Sequence, residues 1–256
     1  MHKIRPSLFP AHIFTPYGVR GAYPSEFHEK AAYAIARAFV SHLLLRKPDH
    51  QHIQVVVSHD AGEDSIALYN AFIGGLLDEG AHVIDIRCAM PSINDFAVVH
   101  LHADGGAVFS ATSENIASLR LSGVDVSPIG EGLGLEEVRN SATRGIFTSI
   151  GGGATLQNGI RTQTDVLGDF ADFFATQFQD LQSVSVPLAL AGDALATTTL
   201  QKAVTRLPGV HIEHVGSVPV DGRVSVLYAS DEGVNVYDEL GRVVPSDILA
   251  ALFVDS

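Results

Sequence analysis

Ser110-Ala-Thr-Ser-Glu-Asn115 packs three hydroxyls, a carboxylate and a side-chain amide into six residues, directly after the apolar run Ala107-Val-Phe109. A short buried strand that breaks into such a turn sets a hydroxyl at the strand's end, where it can carry a phosphoryl group or hold a phosphate. The same residues also suit an ordinary turn in which Ser and Thr side chains cap backbone groups. A second candidate lies early in the chain, in Tyr17-Gly-Val-Arg-Gly21. There Gly18 and Gly21 permit positive φ, and Arg20 offers the planar fork of donors that fits a phosphate. Taken without wider context, Arg20 reads sooner as a surface arginine. The twelve histidines, among them His50, His52, His59, His100 and His102, show neither helical i, i+4 pairing nor a neighbouring acidic cluster. They read as core or surface residues rather than metal ligands.

The elements that must position these groups alternate. Glu26 to Leu45 carries apolar residues at three-to-four spacing (Ala31, Ile35, Phe39, Leu43) and predicts a helix, with Ser65 to Glu79 as a second one stopped by Gly80. Pro91 opens a third, running to His102. Between them Ile53 to Val57 and Val83 to Ile86 read as buried strands, and Ala107 to Phe109 as the strand that delivers the hydroxyl turn. Gly151-Gly-Gly153 lacks the Lys-Ser/Thr ending of a nucleotide loop and reads as a hinge or linker. Beyond it the alternation resumes. A helix runs from about Thr164 to Gln182, followed by a strand at Val186 to Ala191, a helix at Ala194 to Arg206, and strands at Val210 to Val215 and Val224 to Ala229. A last helix is expected at 245–253. This pattern predicts an α/β protein of two consecutive three-layer α/β/α domains, residues 1–150 and 151–256.

Bulk properties narrow the function classes. With 256 residues and 46% hydrophobic content the chain can bury a sizeable core. Sixteen basic residues against 29 acidic ones give a formal charge of −13, which argues against nucleic acids and anionic membranes as partners. A lone Cys88 excludes an intrachain disulfide framework and fits a reducing compartment. The first residues lack an apolar signal core and no apolar run reaches spanning length, so a cytoplasmic protein is expected.

Gly105-Gly-Ala-Val-Phe-Ser-Ala-Thr-Ser-Glu-Asn115 resembles the Gly-Gly-(apolar)-Thr-Ala-Ser-His-Asn-Pro loop of the α-D-phosphohexomutases, the phosphoglucomutases and phosphomannomutases, whose serine passes phosphate to and from the sugar. Ser113 matches that serine, or Thr112 if the register lies one residue earlier, and Asn115 matches the asparagine. Arg120 falls near the family's lysine. Phe14-Thr-Pro-Tyr-Gly-Val-Arg-Gly21 is similar to the family's Phe-x-x-Tyr-Asp-(Ile/Val)-Arg-Gly, which implies that Tyr17 and Arg20 bind phosphate. Glu114 replaces the histidine, Ile116 the proline and Gly18 the aspartate, while Ser58-His-Asp-Ala-Gly62 keeps only Asp60 of Gly-Arg-Asp-x-Arg. In the second domain the family's Asp-Gly-Asp-x-Asp-Arg, which holds Mg2+, aligns with Tyr228, Ser230, Glu232 and Gly233. Glu232 is then the remaining carboxylate, with Asp231 beside it but pointing to the opposite face of an extended segment.

The resemblance covers the first two mutase domains and implies a hexose phosphate as ligand, Mg2+ as the one cofactor to consider, and an isomerase of carbohydrate metabolism as the parent activity. With three motifs altered, three readings stand. The first is a catalytically weak or silent homologue retaining a phosphate or sugar-phosphate site. The second is an active phosphotransferase through Ser113 completed by another chain. The third is a ligand-free scaffold or partner subunit, associating with another protein or with itself.

Overall fold

The computed structural model describes residues 9–47, 52–112, 114–148, 159–177, 186–192, 194–207, 210–214, 225–230, 233–238 and 240–245. The chain divides into two compact units, Met1–Asp165 and Val166–Ser256.

The first unit is built on seven strands: β1 (Phe14–Thr15), β2 (Gly18–Ala22), β3 (Gln54–His59), β4 (His82–Cys88), β5 (Gly105–Ala111), β6 (Ile116–Ser122) and β7 (Arg161–Gln163). They lie in the order β1-β2-β6-β5-β3-β4-β7. The β5-β3-β4-β7 half is parallel, and β6, β2 and β1 are added antiparallel. Helices α1 (Glu29–Arg46), α2 (Glu63–Asp78) and α4 (Leu135–Arg144) share one core with Val55, Val57, Val83, Ala107, Phe109, Ala117, Leu119 and Leu121. Val56, whose side chain faces the other way, is just as fully buried, because α3 (Pro91–His100) covers that face. A strand covered on both sides must be apolar at every position, which is why Val55-Val-Val57 is a run and not an alternation. This is the three-layer α/β/α arrangement expected from the sequence.

Local chemistry moved several boundaries. Helix α1 starts at Glu29 and not at Glu26, because the Glu26 carboxylate accepts the Ala22 amide at 2.9 Å and belongs to the preceding turn. His28 caps the helix instead, its Nδ1 accepting from the Ala31 amide at 3.2 Å. Between α1 and α2 the backbones approach so closely that a Cβ built on Gly75 falls 2.4 Å from the Tyr33 carbonyl oxygen. Strand β5 extends beyond Phe109 to Ala111, and the hydroxyl turn proves to be the tip of a β-hairpin whose second arm, β6, was not read from the sequence. Ahead of β2 the chain forms a 3-10 turn (Ala11–Ile13) followed by the two residues of β1. Strand β7 comes after the glycine-rich stretch yet pairs with β4, so the first unit extends to Asp165, past the boundary at 150 drawn from composition.

The second unit has a four-stranded sheet in the order β11-β10-β8-β9, from β8 (Val186–Gly192), β9 (Val210–His214), β10 (Ser225–Ser230) and β11 (Gly233–Tyr237). Strands β9, β8 and β10 are parallel, and β11 closes an antiparallel hairpin on β10. Helices α5 (Leu167–Gln177) and α6 (Ala194–Val204) pack together. The helix expected at 245–253 lies, from 246 on, outside the described residues. Among the described residues no helix is long and apolar enough to cross a membrane.

Candidate functional site

Strands β3, β4 and β5 all end at one edge of the first sheet, where α2 and α3 begin. Helix N-termini carry unsatisfied N–H groups and partial positive charge, so this edge is where an open α/β sheet receives an anionic ligand. The hairpin between β5 and β6 emerges there. Thr112 and Ile116 close it through a Thr112 N to Ile116 O bond of 2.9 Å, and the Asn115 amide donates to the Thr112 carbonyl at 3.1 Å. Asn115 itself is left-handed, with φ of 58°. Asparagine tolerates that conformation, as the residue completing a three-residue hairpin loop must.

Two anchors fix the hairpin. Asp60, the residue after β3, accepts the Ala111 amide at 2.7 Å with Oδ2, while Oδ1 accepts the Gly62 amide at 2.9 Å and the Ser65 hydroxyl. One carboxylate therefore ties the end of β5 to the start of α2. On the other side the Tyr23 amide donates to the Asn115 carbonyl at 2.8 Å. The Tyr23 hydroxyl donates to Glu29 at 2.6 Å, and that hydrogen bond pushes its pKa up to about 12 while holding Glu29 below its ordinary value.

Beside the hairpin the register aligns a polar row. Arg20 on β2 stands opposite Ser118 on β6, which stands opposite Ser110 on β5. Residues directly opposite each other across strands project to the same face, so the three side chains share one. The Ser110 and Ser118 hydroxyls are hydrogen-bonded at 2.7 Å. Arg20 is exposed and makes no side-chain hydrogen bond or ion pair with any described residue. Arg120 lies two residues further along β6, its Nη2 2.7 Å from the Asp95 carboxylate of α3 and 3.3 Å from the Pro91 carbonyl. Its charge is thus opposed, although the pair is part-exposed and screened.

The structure brings Arg20, Arg120, Thr112 and Asn115 to this edge, with Thr112 and Asn115 both exposed on the hairpin. Tyr17 sits on the β1–β2 turn, 89% exposed, at the end of β2 remote from Ala22. Five positions separate it from Ala22, about 16 Å along a strand. Ser113, Asp231 and Glu232 lie outside the described residues. Their neighbours Ser230 and Gly233 are paired as the ends of β10 and β11, and Tyr228 pairs with Asn235. Among the described residues no group of three or more His, Cys, Asp or Glu side chains could hold a metal ion. His59 contacts the Asp60 backbone oxygen and packs edge-on against Tyr69 at 4.6 Å, a structural role. Sequence reasoning missed the Asp60 clamp and the Ser110–Ser118 pair. The alternation Ala117, Leu119, Leu121 against Ser118 and Arg120 was the available signal for the latter.

This hairpin-bearing sheet is shared with known proteins. The family model for the phosphoglucomutase/phosphomannomutase α/β/α domain I matches residues 11–118. A phosphomannomutase of Klebsiella pneumoniae is 30% identical over 161 residues, covering 62% of this chain and 96% of its own. A phosphomannomutase of Escherichia coli is 30% identical over 179 residues, 69% of this chain and 37% of its own. The solved structure of a phosphoglucomutase/phosphomannomutase family protein from Burkholderia thailandensis superposes with a TM-score of 0.77 at 17% identity, over 96% of this chain and 58% of that one. The chain belongs to the phosphoglucomutase/phosphomannomutase family. It spans little more than a third of the E. coli relative and under two thirds of the Burkholderia structure.

Proposed function

We propose that this chain binds a phosphate or hexose phosphate at the hairpin edge of its first sheet, and that phosphoryl transfer through Ser113, or Thr112, is weak or absent. The observation that carries the reading is Arg20, an exposed guanidinium without a partner among the described residues, level with Ser110 and Ser118 and beside the hairpin. Such a planar fork donates to two phosphate oxygens at once, and each charge-assisted bond is worth about 1.5–3 kcal/mol. The hydroxyls of Ser110, Ser118 and Thr112 and the amide of Asn115 are the neutral donors within the same region.

Three features support weak transfer. Glu114 is exposed on the hairpin, where a carboxylate a few Å from a phosphoserine opposes it by roughly 1 kcal/mol or more. Arg120 is engaged by Asp95. The positions aligned with the family's magnesium loop, Tyr228, Ser230 and Glu232, supply one carboxylate where hard-cation coordination wants several, so this donor set does not fit a resident Mg2+. A lone cysteine supports a reducing compartment such as the cytoplasm.

Two measurements test this. Titration calorimetry with glucose 6-phosphate and mannose 6-phosphate should give saturable binding that Arg20→Ala loosens at least about tenfold. Binding unchanged by Arg20→Ala refutes the site. Intact-mass spectrometry after incubation with Mg2+ and a hexose 1,6-bisphosphate should show no stoichiometric phosphate. A phosphate localised to Ser113, and missing from Ser113→Ala, would establish the active transferase instead.

A further inference from the structure

Strand β6 helps to set two basic residues on one face of the first sheet. Ser118 and Arg120, two positions apart, project together, and Ser118 stands opposite Arg20 of β2. Arg120 is thereby a diagonal neighbour of Arg20, a spacing that long side chains can span. Little stands between them. The β2 residue beside Arg120 is Gly18, where a built Cβ would fall 2.5 Å from the Leu119 carbonyl oxygen and 3.6 Å from the Arg120 Cα. That position holds no side chain, and the Ser118 hydroxyl is turned to Ser110. Two guanidiniums so placed can hold one phosphate together, and without an anion they repel each other.

The two arginines have different surroundings. Arg20 is exposed and has no side-chain partner among the described residues. Arg120 has a carboxylate: its Nη2 donates to Asp95 of α3 at 2.7 Å and to the Pro91 carbonyl at 3.3 Å. Both contacts use one nitrogen of a group that carries five N–H donors. The pair is open to water, with the Arg120 side chain 39% and the Asp95 side chain 31% exposed. Ion pairs at such exposure contribute little, whereas a phosphate brings more charge and two oxygens to the planar fork. Asp95 is therefore a counter-ion that an incoming phosphate can displace.

We propose, resting on the phosphate site inferred above, that Asp95 sets the affinity of that site by competing with the ligand's phosphate for Arg120. Arg20 makes the first contact. Arg120 joins it when the phosphate takes the place of the Asp95 carboxylate, an exchange of ionic partners in which no covalent bond changes. Asp95 is a positioning residue that acts through Arg120, and its charge keeps the site weak for a single phosphate.

The test is a double-mutant cycle on the full chain, read by titration calorimetry with inorganic phosphate and with glucose 6-phosphate. Asp95→Asn and Asp95→Ala should each tighten binding about tenfold. Arg120→Gln in the parent should weaken binding by no more than about twofold, because Asp95 already occupies that guanidinium. In the Asp95→Asn background the same change should remove the whole gain. Since the pair is part-exposed, thermal unfolding of the variants should stay close to that of the parent, which separates the effect from a structural one. Unchanged affinity in both Asp95 variants, with Arg20-dependent binding intact in the parent, would overturn the inference and leave the phosphate site standing. A gain that survives Arg120→Gln would also overturn it, because loss of a negative charge alone would then explain the effect. Absence of binding in the parent and in every variant would refute the phosphate site itself, and this inference with it.

Discussion

Replacing Arg161 by methionine should destabilise the first unit by about 2–3 kcal/mol, and the figure follows from one carboxylate. Asp85 on β4 is fully buried. Its Oδ2 accepts from Arg161 Nε at 3.0 Å, Arg161 Nη2 at 2.7 Å and Gln163 Nε2 at 3.2 Å. Its Oδ1 accepts from the Arg87 amide at 2.8 Å and from the Tyr69 hydroxyl. Removing one partner of a buried pair typically costs about 3–5 kcal/mol, because the other charge is left uncompensated. Two facts reduce that here: the Arg161 side chain is 36% exposed, so water can replace part of it, and three donors to Asp85 survive. The midpoint of thermal unfolding should fall by roughly 5–10 °C. Burial alone would raise the Asp85 pKa, but the hydrogen bonds from Tyr69, Arg161, Arg87 and Gln163 outweigh it and hold the carboxyl below its ordinary value. Stability from a depressed carboxyl is complete above its unfolded pKa, about 3.9, and is lost as pH falls through the lower folded value. The gap between the parent and Arg161→Met should therefore stay constant from neutral pH to about pH 5 and narrow below about pH 4. Urea denaturation followed by circular dichroism, with calorimetry to separate the units, measures both. A cost under about 0.5 kcal/mol, or the same cost in an Asp85→Asn background, would refute the reasoning.

Other expectations concern single contacts. Gly75→Ala pushes a methyl into the Tyr33 carbonyl and the Ala36 side chain, and should cost about 1–3 kcal/mol by denaturation. Asp60→Ala frees the Ala111 amide, whose exchange with solvent should quicken at least about tenfold while amides in α1 keep their protection; Asp60→Asn should retain part of it. Arg20→Lys keeps the charge but loses the fork, so its hexose-phosphate affinity should fall between those of the parent and Arg20→Ala. Equal affinities for Lys and Arg at 20 would mean that charge alone, without bidentate geometry, holds the phosphate.

Long elements with a single period were legible, and short ones whose role depends on a distant partner were not. Helix α1 showed itself through Ile35, Phe39 and Leu43, and β3 through an unbroken valine run. Strand β6 hid because Ser118 and Arg120 break its apolar content, and only pairing with β5 reveals them as one face of an alternation. Strand β7 is three exposed residues that owe their place to Asp85, 76 positions earlier for Arg161. No local propensity encodes such a partner. At the site, the types of Arg20, Thr112 and Asn115 were readable, and so was their family pattern. That Arg20 has no partner among the described residues, that Arg120 is matched by Asp95, and that Tyr17 lies at the far end of β2 all depend on strand register, which follows from packing and not from spacing along the chain.

The late arrival of β7 also constrains how the first unit can be made. Its sheet is complete only when Arg161–Gln163 reach β4, so a nascent chain that has emerged through α4 still carries the Asp85 carboxylate without its guanidinium. A fragment cut in the glycine-rich stretch would be frozen at that stage and inclined to aggregate through the uncovered edge of β4. One cut after Asp165 would hold every strand of the sheet. For expression of the first unit alone, and for its folding on the ribosome, residue 165 is the natural stopping point.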